Sequence, residues 1–169
     1  MIEEYQSIMK NDVWDVVPTP EGKSVITSKW IYKIKHAADG SIEKYKERFV
    51  ARGLISQKEG IDYEETFAPV AKYTSIRLVL SLDAVMKWKI HQMDVKTDFL
   101  NGVVEEEVYV EQPLSFETRD RESHVCILKK ALYGLKQAPG TWSRRIDTFL
   151  TSLGFTKSEV DSNIYYKVE

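Results

Sequence analysis

With a single cysteine, Cys126, among 169 residues, the chain can form no internal disulfide and no cysteine-ligated zinc site, which makes a reducing compartment the economical assumption. In HVCILKK that cysteine reads as a small buried hydrophobe. Long apolar runs are missing too: none approaches the roughly 18 residues that a membrane span requires. The acidic start MIEEYQ has neither the basic flank nor the apolar stretch of a signal or transit peptide. A soluble, intracellular protein with no membrane partner is the expectation. Excess charge of either sign is also lacking: the formal net charge is −2, a balance that taken alone discourages a nucleic-acid role. There is no internal repeat, no low-complexity tract and no obvious linker.

What is present points to one globular domain. With 43% hydrophobic and 30% charged residues the chain is long enough to bury a core. Four Trp, nine Tyr and six Phe argue against disorder, because aromatic surface drives the ordering of a backbone. The near-neutral total conceals a segregated pattern. Residues 23–58 hold nine basic side chains (Lys23, Lys29, Lys33, Lys35, Lys44, Lys46, Arg48, Arg52, Lys58) against three acidic ones. Residues 123–146 carry five (Lys129, Lys130, Lys136, Arg144, Arg145) and no acid, while residues 94–121 hold eight acids against Lys96, Arg119 and Arg121. Either basic segment alone reads as a solvated face. Two of them bracketing an acidic stretch suit a protein that grips phosphates around a metal centre.

The order of elements is α+β. IEEYQSIMK reads as a short helix with Ile2, Tyr5, Ile8 and Met9 at helical spacing. SKWIYKIK alternates as a strand does, ADGS supplies a turn, and SIEKYKERFVARG returns as the second strand of a cationic hairpin. GIDYEETFAPV is loop-like and closed by Pro69; Thr74 or Ser75 then caps a buried helix from Ile76 to about Lys87. Short strands follow in KIHQMDV, VYVEQP and HVCILKK. A final helix carries Trp142, Ile146, Phe149, Leu150 and Leu153 on one stripe, with Gly154 at its C-terminal cap. SNIYYKVE begins another strand and stops, so the chain reads as cut.

HQMDVKTDFLNG, residues 91–102, delivers Asp94 to the end of an alternating stretch directly before a turn. A lone aspartate there most often only caps the turn. The other reading open at this point is a strand that serves as a platform for a metal ligand.

WIYKIKHAADGSIEKYKERFVARG, GIDYEETFAPVAKYTSIR, HQMDVKTDFLNGVVEEEVYVEQP and LKKALYGLKQAPGTW together resemble, in order and spacing, the reverse transcriptase domain of copia-type LTR retrotransposon Pol polyproteins. The likeness runs from about Glu4 to the C-terminus. It implies a right-hand polymerase fold with fingers and a partial palm only, fingers at about 1–72 and 108–140 and palm at about 73–107 and 141–169. It further implies template-directed nucleotidyl transfer with two Mg²⁺ ions, RNA or DNA template-primer and deoxynucleoside triphosphates as partners in the intact enzyme. By this likeness Asp94 is a catalytic metal ligand and the carbonyl of Val95 its backbone companion. Lys46 and Arg48 bind the triphosphate, where a point charge and a planar fork suit phosphate oxygens. Phe99 packs beneath the incoming sugar, and Tyr133, Gly134, Lys136 and Gln137 lie against template and primer. Read without the likeness, Phe99 is equally a core residue beside a turn, and Lys46 and Arg48 a solvated strand face.

The chain departs from the family pattern. Glu47 stands where the family has alanine beside the triphosphate cations, Asp98 replaces the alanine before the sugar-packing aromatic, and Gly140 replaces a basic residue after the QAP motif. No Asp-Asp pair occurs anywhere, and Asp161 matches a position upstream of the family's second catalytic hairpin. Thumb, RNase H, integrase and protease segments are missing as well. The expectation is therefore a polymerase fragment that is inactive by itself, the alternative being a non-catalytic retroelement relic or a retained nucleic-acid-binding module.

Overall fold

The computed structural model describes residues 1–53 and 70–168. Lys58 of the first basic segment, Pro69 and all of the GIDYEETFAPV loop except Val70 lie outside the described residues. The chain opens with helix α1 (Ile2–Lys10) and strands β1 (Trp14–Pro18) and β2 (Val25–Ile26). The hairpin follows as β3 (Ser28–His36) and β4 (Ile42–Ala51), then helix α2 (Tyr73–Met86) and a 3-10 turn at Phe99–Asn101. Strands β5 (Tyr109–Val110) and β6 (His124–Leu128), helix α3 (Ala138–Ser152), and the short pair β7 (Thr156–Lys157) and β8 (Tyr165–Tyr166) complete it. The architecture is a mixed α and β arrangement.

The hairpin forms where alternation and turn chemistry agree. Gly40 takes φ +86° in the turn, and the Asp39 carboxylate accepts from the Ser41 amide at 3.0 Å and its hydroxyl at 2.6 Å, a local bond that favours reversal over continued strand. The antiparallel register sets Ile31 opposite Arg48, Lys33 opposite Lys46 and Lys35 opposite Lys44. Because side chains alternate along a strand, Lys29, Lys33, Lys35, Lys44, Lys46 and Arg48 share one face. Trp30, Tyr32, Ile34, Tyr45, Glu47 and Phe49 share the other. That second face is buried only at its inner end: Phe49 is 1% exposed, whereas Tyr32 and Tyr45 are 64% and 65% exposed.

Four strands make the sheet that Phe49 packs near, in the order β1-β6-β5-β2. β6 is antiparallel to both β1 and β5, and β2 runs parallel to β5. Ile8 of α1, Val13, Trp14, Leu100 of the 3-10 turn, Leu128, Leu132 and Ala138 join Phe49 in one buried cluster. Two glycines allow these pieces to approach. Gly134 has φ +89°, and a Cβ there would lie 2.1 Å from the Ala51 carbonyl oxygen; the Ala51 amide donates to the Tyr133 carbonyl at 2.8 Å across the same contact. A Cβ on Gly102 would meet Thr141 Oγ1 at 2.5 Å, so glycine lets the 3-10 turn sit against α3. Gln112, 1% exposed, holds the loop after β5: its amide nitrogen donates to the carbonyls of Arg119 and His124, and its oxygen accepts from the amides of Thr118 and Arg119. This is a buried polar group with both ends matched.

Several expectations are corrected here. α2 forms, but every described apolar side chain on it is exposed, Leu78 at 57% and Val85 at 78% among them, since no described element lies over its apolar stripe. No side chain caps it: its N-cap is Lys72, and the Ser75 hydroxyl instead donates to Asp161. KIHQMDV is not a strand, because alternation makes a ladder only where a neighbouring strand offers backbone partners, and no described strand flanks it. On α1, Ile8 is buried, but Ile2 and Met9 are 64% and 49% exposed and Glu4 takes an inward place at 7%. β1 and β2 went unread in the sequence. Gly154 does adopt φ +83° just beyond α3. Among the described residues no helix is long and apolar enough to cross a membrane.

Candidate functional site

α1, the hairpin and the turn after Met93 converge on an open cleft of about 730 Å³. The hairpin contributes Lys35, Lys44, Lys46 and Arg48 to its wall, the turn contributes Asp94, Val95 and Asp98, and Tyr133 enters from the segment before α3. The cationic face of the hairpin is thus the face turned to the turn's carboxylates.

Arg48 is the best-fixed of these groups. Its Nη1 donates to Glu4 Oε2 at 3.1 Å and to the Glu47 carbonyl at 3.3 Å. Its guanidinium stands 4.9 Å from the centre of the Tyr133 ring, a cation–π contact. The Tyr133 hydroxyl in turn donates to Asp98 Oδ1 at 3.5 Å, and Phe99 packs edge-on against the same ring, centroids 5.4 Å apart. Burial pushes the Tyr133 hydroxyl up to about 12, so it remains a donor throughout the neutral range. The crowding of cations shows in Lys46, whose pKa is lowered first by Arg48, then by desolvation and Lys35, with Glu4 and Asp94 pulling the other way. On Glu4, desolvation raises the pKa more than the Arg48 charge lowers it, and its Oε1 has no hydrogen-bond partner.

The turn that presents Asp94 is pinned from behind. Thr97, a β-branched residue, sits at φ +55°, a conformation that costs energy and persists only where the surroundings impose it. Here the Asn101 side-chain Nδ2 donates to the Thr97 carbonyl at 2.9 Å, and Leu100 in the same 3-10 turn is fully buried. The buried leucine anchors a turn whose outer limb leaves Asp94 and Val95 in solvent.

Of the residues singled out in the sequence, the structure brings Lys46, Arg48, Asp94, Val95 and Tyr133 to one cleft. Phe99 stands behind Tyr133, half-buried against the core. Gly134 forms the close turn against β4, Lys136 is half-buried, and Gln137 is buried at the N-cap of α3. Two residues were missed. Glu4 lies four positions before Ile8 and therefore on the same face of α1; that spacing was readable, but an acidic side chain is rarely assigned inward. Thr97 carries no sequence signal, since only the backbone angle marks it. Among the described residues no group of three or more His, Cys, Asp or Glu side chains could hold a metal ion. Asp94 with the Val95 carbonyl therefore does not by itself fit a two-metal centre.

Residues 11–169 match the family described as "Reverse transcriptase (RNA-dependent DNA polymerase)". The "Retrovirus-related Pol polyprotein from transposon TNT 1-94" of Nicotiana tabacum is 45% identical over 167 residues, 99% of this chain and 12% of that protein. The corresponding polyproteins from transposons RE2 and RE1 of Arabidopsis thaliana are 43% and 42% identical, each over 98% of this chain and 11% of the relative. The chain thus spans little more than a tenth of the length of these relatives. No solved structure matches it.

Proposed function

The chain belongs to the reverse transcriptase family of retrotransposon Pol polyproteins, and from that premise we propose that it is the part of an RNA-directed DNA polymerase that grips the incoming deoxynucleoside triphosphate and the template. In this reading residues of about 1–72 and 108–140 act as fingers and the rest as part of a palm in a right-hand fold. Lys46 and Arg48 hold the triphosphate. Asp94 and the Val95 carbonyl would contribute two ligands to a Mg²⁺ site that needs further carboxylates, and Mg²⁺ bound there would neutralise charge developing on the phosphates. Tyr133 orients Arg48 by stacking, while Gly134, Lys136 and Gln137 shape the surface beside template and primer. The observation that carries this reading is the cleft that Lys46 and Arg48 of one strand share with Asp94, which is distant from them in sequence.

The chain by itself does not polymerise. Mg²⁺ dehydrates reluctantly and is held in such sites by clustered carboxylates together with substrate phosphates; Asp98 is the nearest further acid, and it accepts from Tyr133. A primer-extension assay with the 169-residue chain, Mg²⁺ and labelled deoxynucleotides should give no product, and extension abolished by Asp94→Asn would overturn the claim. Primer-template binding should be detectable at low salt and lost at high salt. It should weaken further in Lys46→Ala and Arg48→Ala. A second reading, a nucleic-acid-binding module or relic without catalysis, is favoured by Glu47 and Asp98, which place extra negative charge around the triphosphate cations. Binding of template but not of triphosphate would select it.

A further inference from the structure

The proposed site already contains an anion of its own. Glu4 enters the cleft from α1, is 7% exposed, and takes Arg48 Nη1 at 3.1 Å. Building on the reading of this cleft as a triphosphate site, we propose that Glu4 is a placeholder for phosphate: it holds Arg48 in the ligand-free protein and must yield it before a polyphosphate can bind, so this one carboxylate sets the affinity of the site.

Three observations support this. Besides the Phe49 backbone, Glu4 is met by a single Arg48 nitrogen and one carboxylate oxygen is unpartnered, so the guanidinium is matched less well by Glu4 than it would be by a multi-oxygen phosphate. Lys35, Lys44 and Lys46 stand on the same hairpin face and border the same cleft, and a chain of phosphates can reach them while the short Glu4 side chain cannot. Finally, α1 is fastened over the cleft by Ile8, which is sunk in the core. The carboxylate is held in place by its helix. Because burial works against ionised Glu4, a neutral amide of the same shape is compatible with the fold, and Glu4→Gln is a usable probe.

The test is calorimetric titration of the full chain with inorganic tripolyphosphate at low ionic strength and fixed pH. Removing the competing charge frees about one charge-assisted contact, so Glu4→Gln should bind on the order of tenfold more tightly than the unaltered protein. Glu4→Asp, which draws the carboxylate back by one methylene, should shift affinity the same way. Glu21→Gln removes an equal charge from an exposed position outside the cleft and should change affinity by less than about twofold. Equal tightening by Glu21→Gln would reduce the effect to net charge and overturn the proposal. If Glu4→Gln binds no more tightly while Arg48→Ala loses binding, the placeholder role fails and the cleft reading stands. If neither the unaltered protein nor Glu4→Gln binds, both fail.

Discussion

Phe49 and Leu132 are 1% and 0% exposed, whereas Leu78 and Val85 on α2 are 57% and 78% exposed, although all four are ordinary core-forming residues. The two regions are held by different forces. The first is closed by interlocking apolar side chains from α1, the sheet, the hairpin and the turn before α3. The described attachments of α2 are polar: Ser75 donates to Asp161, Lys72 Nζ to the Val160 carbonyl at 3.4 Å, and Asn163 Nδ2 to the Val70 carbonyl at 3.1 Å. Burial scales with apolar area removed from water, so the first region carries the fold's free energy. A helix joined by a few solvent-accessible hydrogen bonds opens at low cost.

Phe49→Ala should give the largest effect, about 3 to 5 kcal/mol lost in denaturant unfolding. A loss under about 1 kcal/mol would mean that the aromatic cluster of Trp14, Trp30 and Phe49 is not what closes the core. Gly134→Ala comes next at about 3 kcal/mol, since it combines a left-handed backbone angle with a clash against backbone. A protein of unchanged stability would show that the Tyr133–Ala51 contact can part freely.

The two regions should also separate by pH. Burial pushes the Cys126 thiol up from 9.0 to about 12. Its contribution is complete below the unfolded value and is lost as pH rises through that window, so alkali should loosen the core, and Cys126→Val should flatten the fall in Tm above pH 9. Asp161 has the opposite sign. The Ser75 hydroxyl and the Asn163 amide lower it below 3.8, so its contribution is present above that value and lost as pH falls through its folded pKa. Acid below pH 3.8 should speed hydrogen exchange in α2 before it touches β6, and simultaneous loss of protection in both would erase the distinction. The smallest effect should come from Leu80→Ser on α2, within about 0.5 kcal/mol, because Leu80 is already 49% exposed. A loss above about 2 kcal/mol would reveal a cover over that stripe.

Local chemistry was legible in the sequence and partnership was not. The hairpin could be read because alternation, Gly40 and the Asp39–Ser41 bonds all act within a few residues. α1 and α3 showed in their spacing, but which of their residues turn inward depends on distant neighbours, so Ile2 was expected inward and Glu4 was not. The same reason explains KIHQMDV, whose pattern asks for strands beside it. Lys46, Arg48 and Asp94 were singled out through family likeness; composition alone would have left them as solvated charges. Thr97 and Glu4 emerged only from a backbone angle and a contact.

The hairpin register has one more consequence. Lys33 faces Lys46 and Lys35 faces Lys44, and like charges set abreast push their strands apart. Dissolved ions mask that repulsion, yet they also strip the same lysines of any phosphate chain. Under the proposed phosphate-binding role, ionic strength therefore works the hairpin like a lever with two ends: brine that firms the empty protein would release its cargo, and in dilute buffer a bound strand would itself supply the counterions that the bare lysines lack.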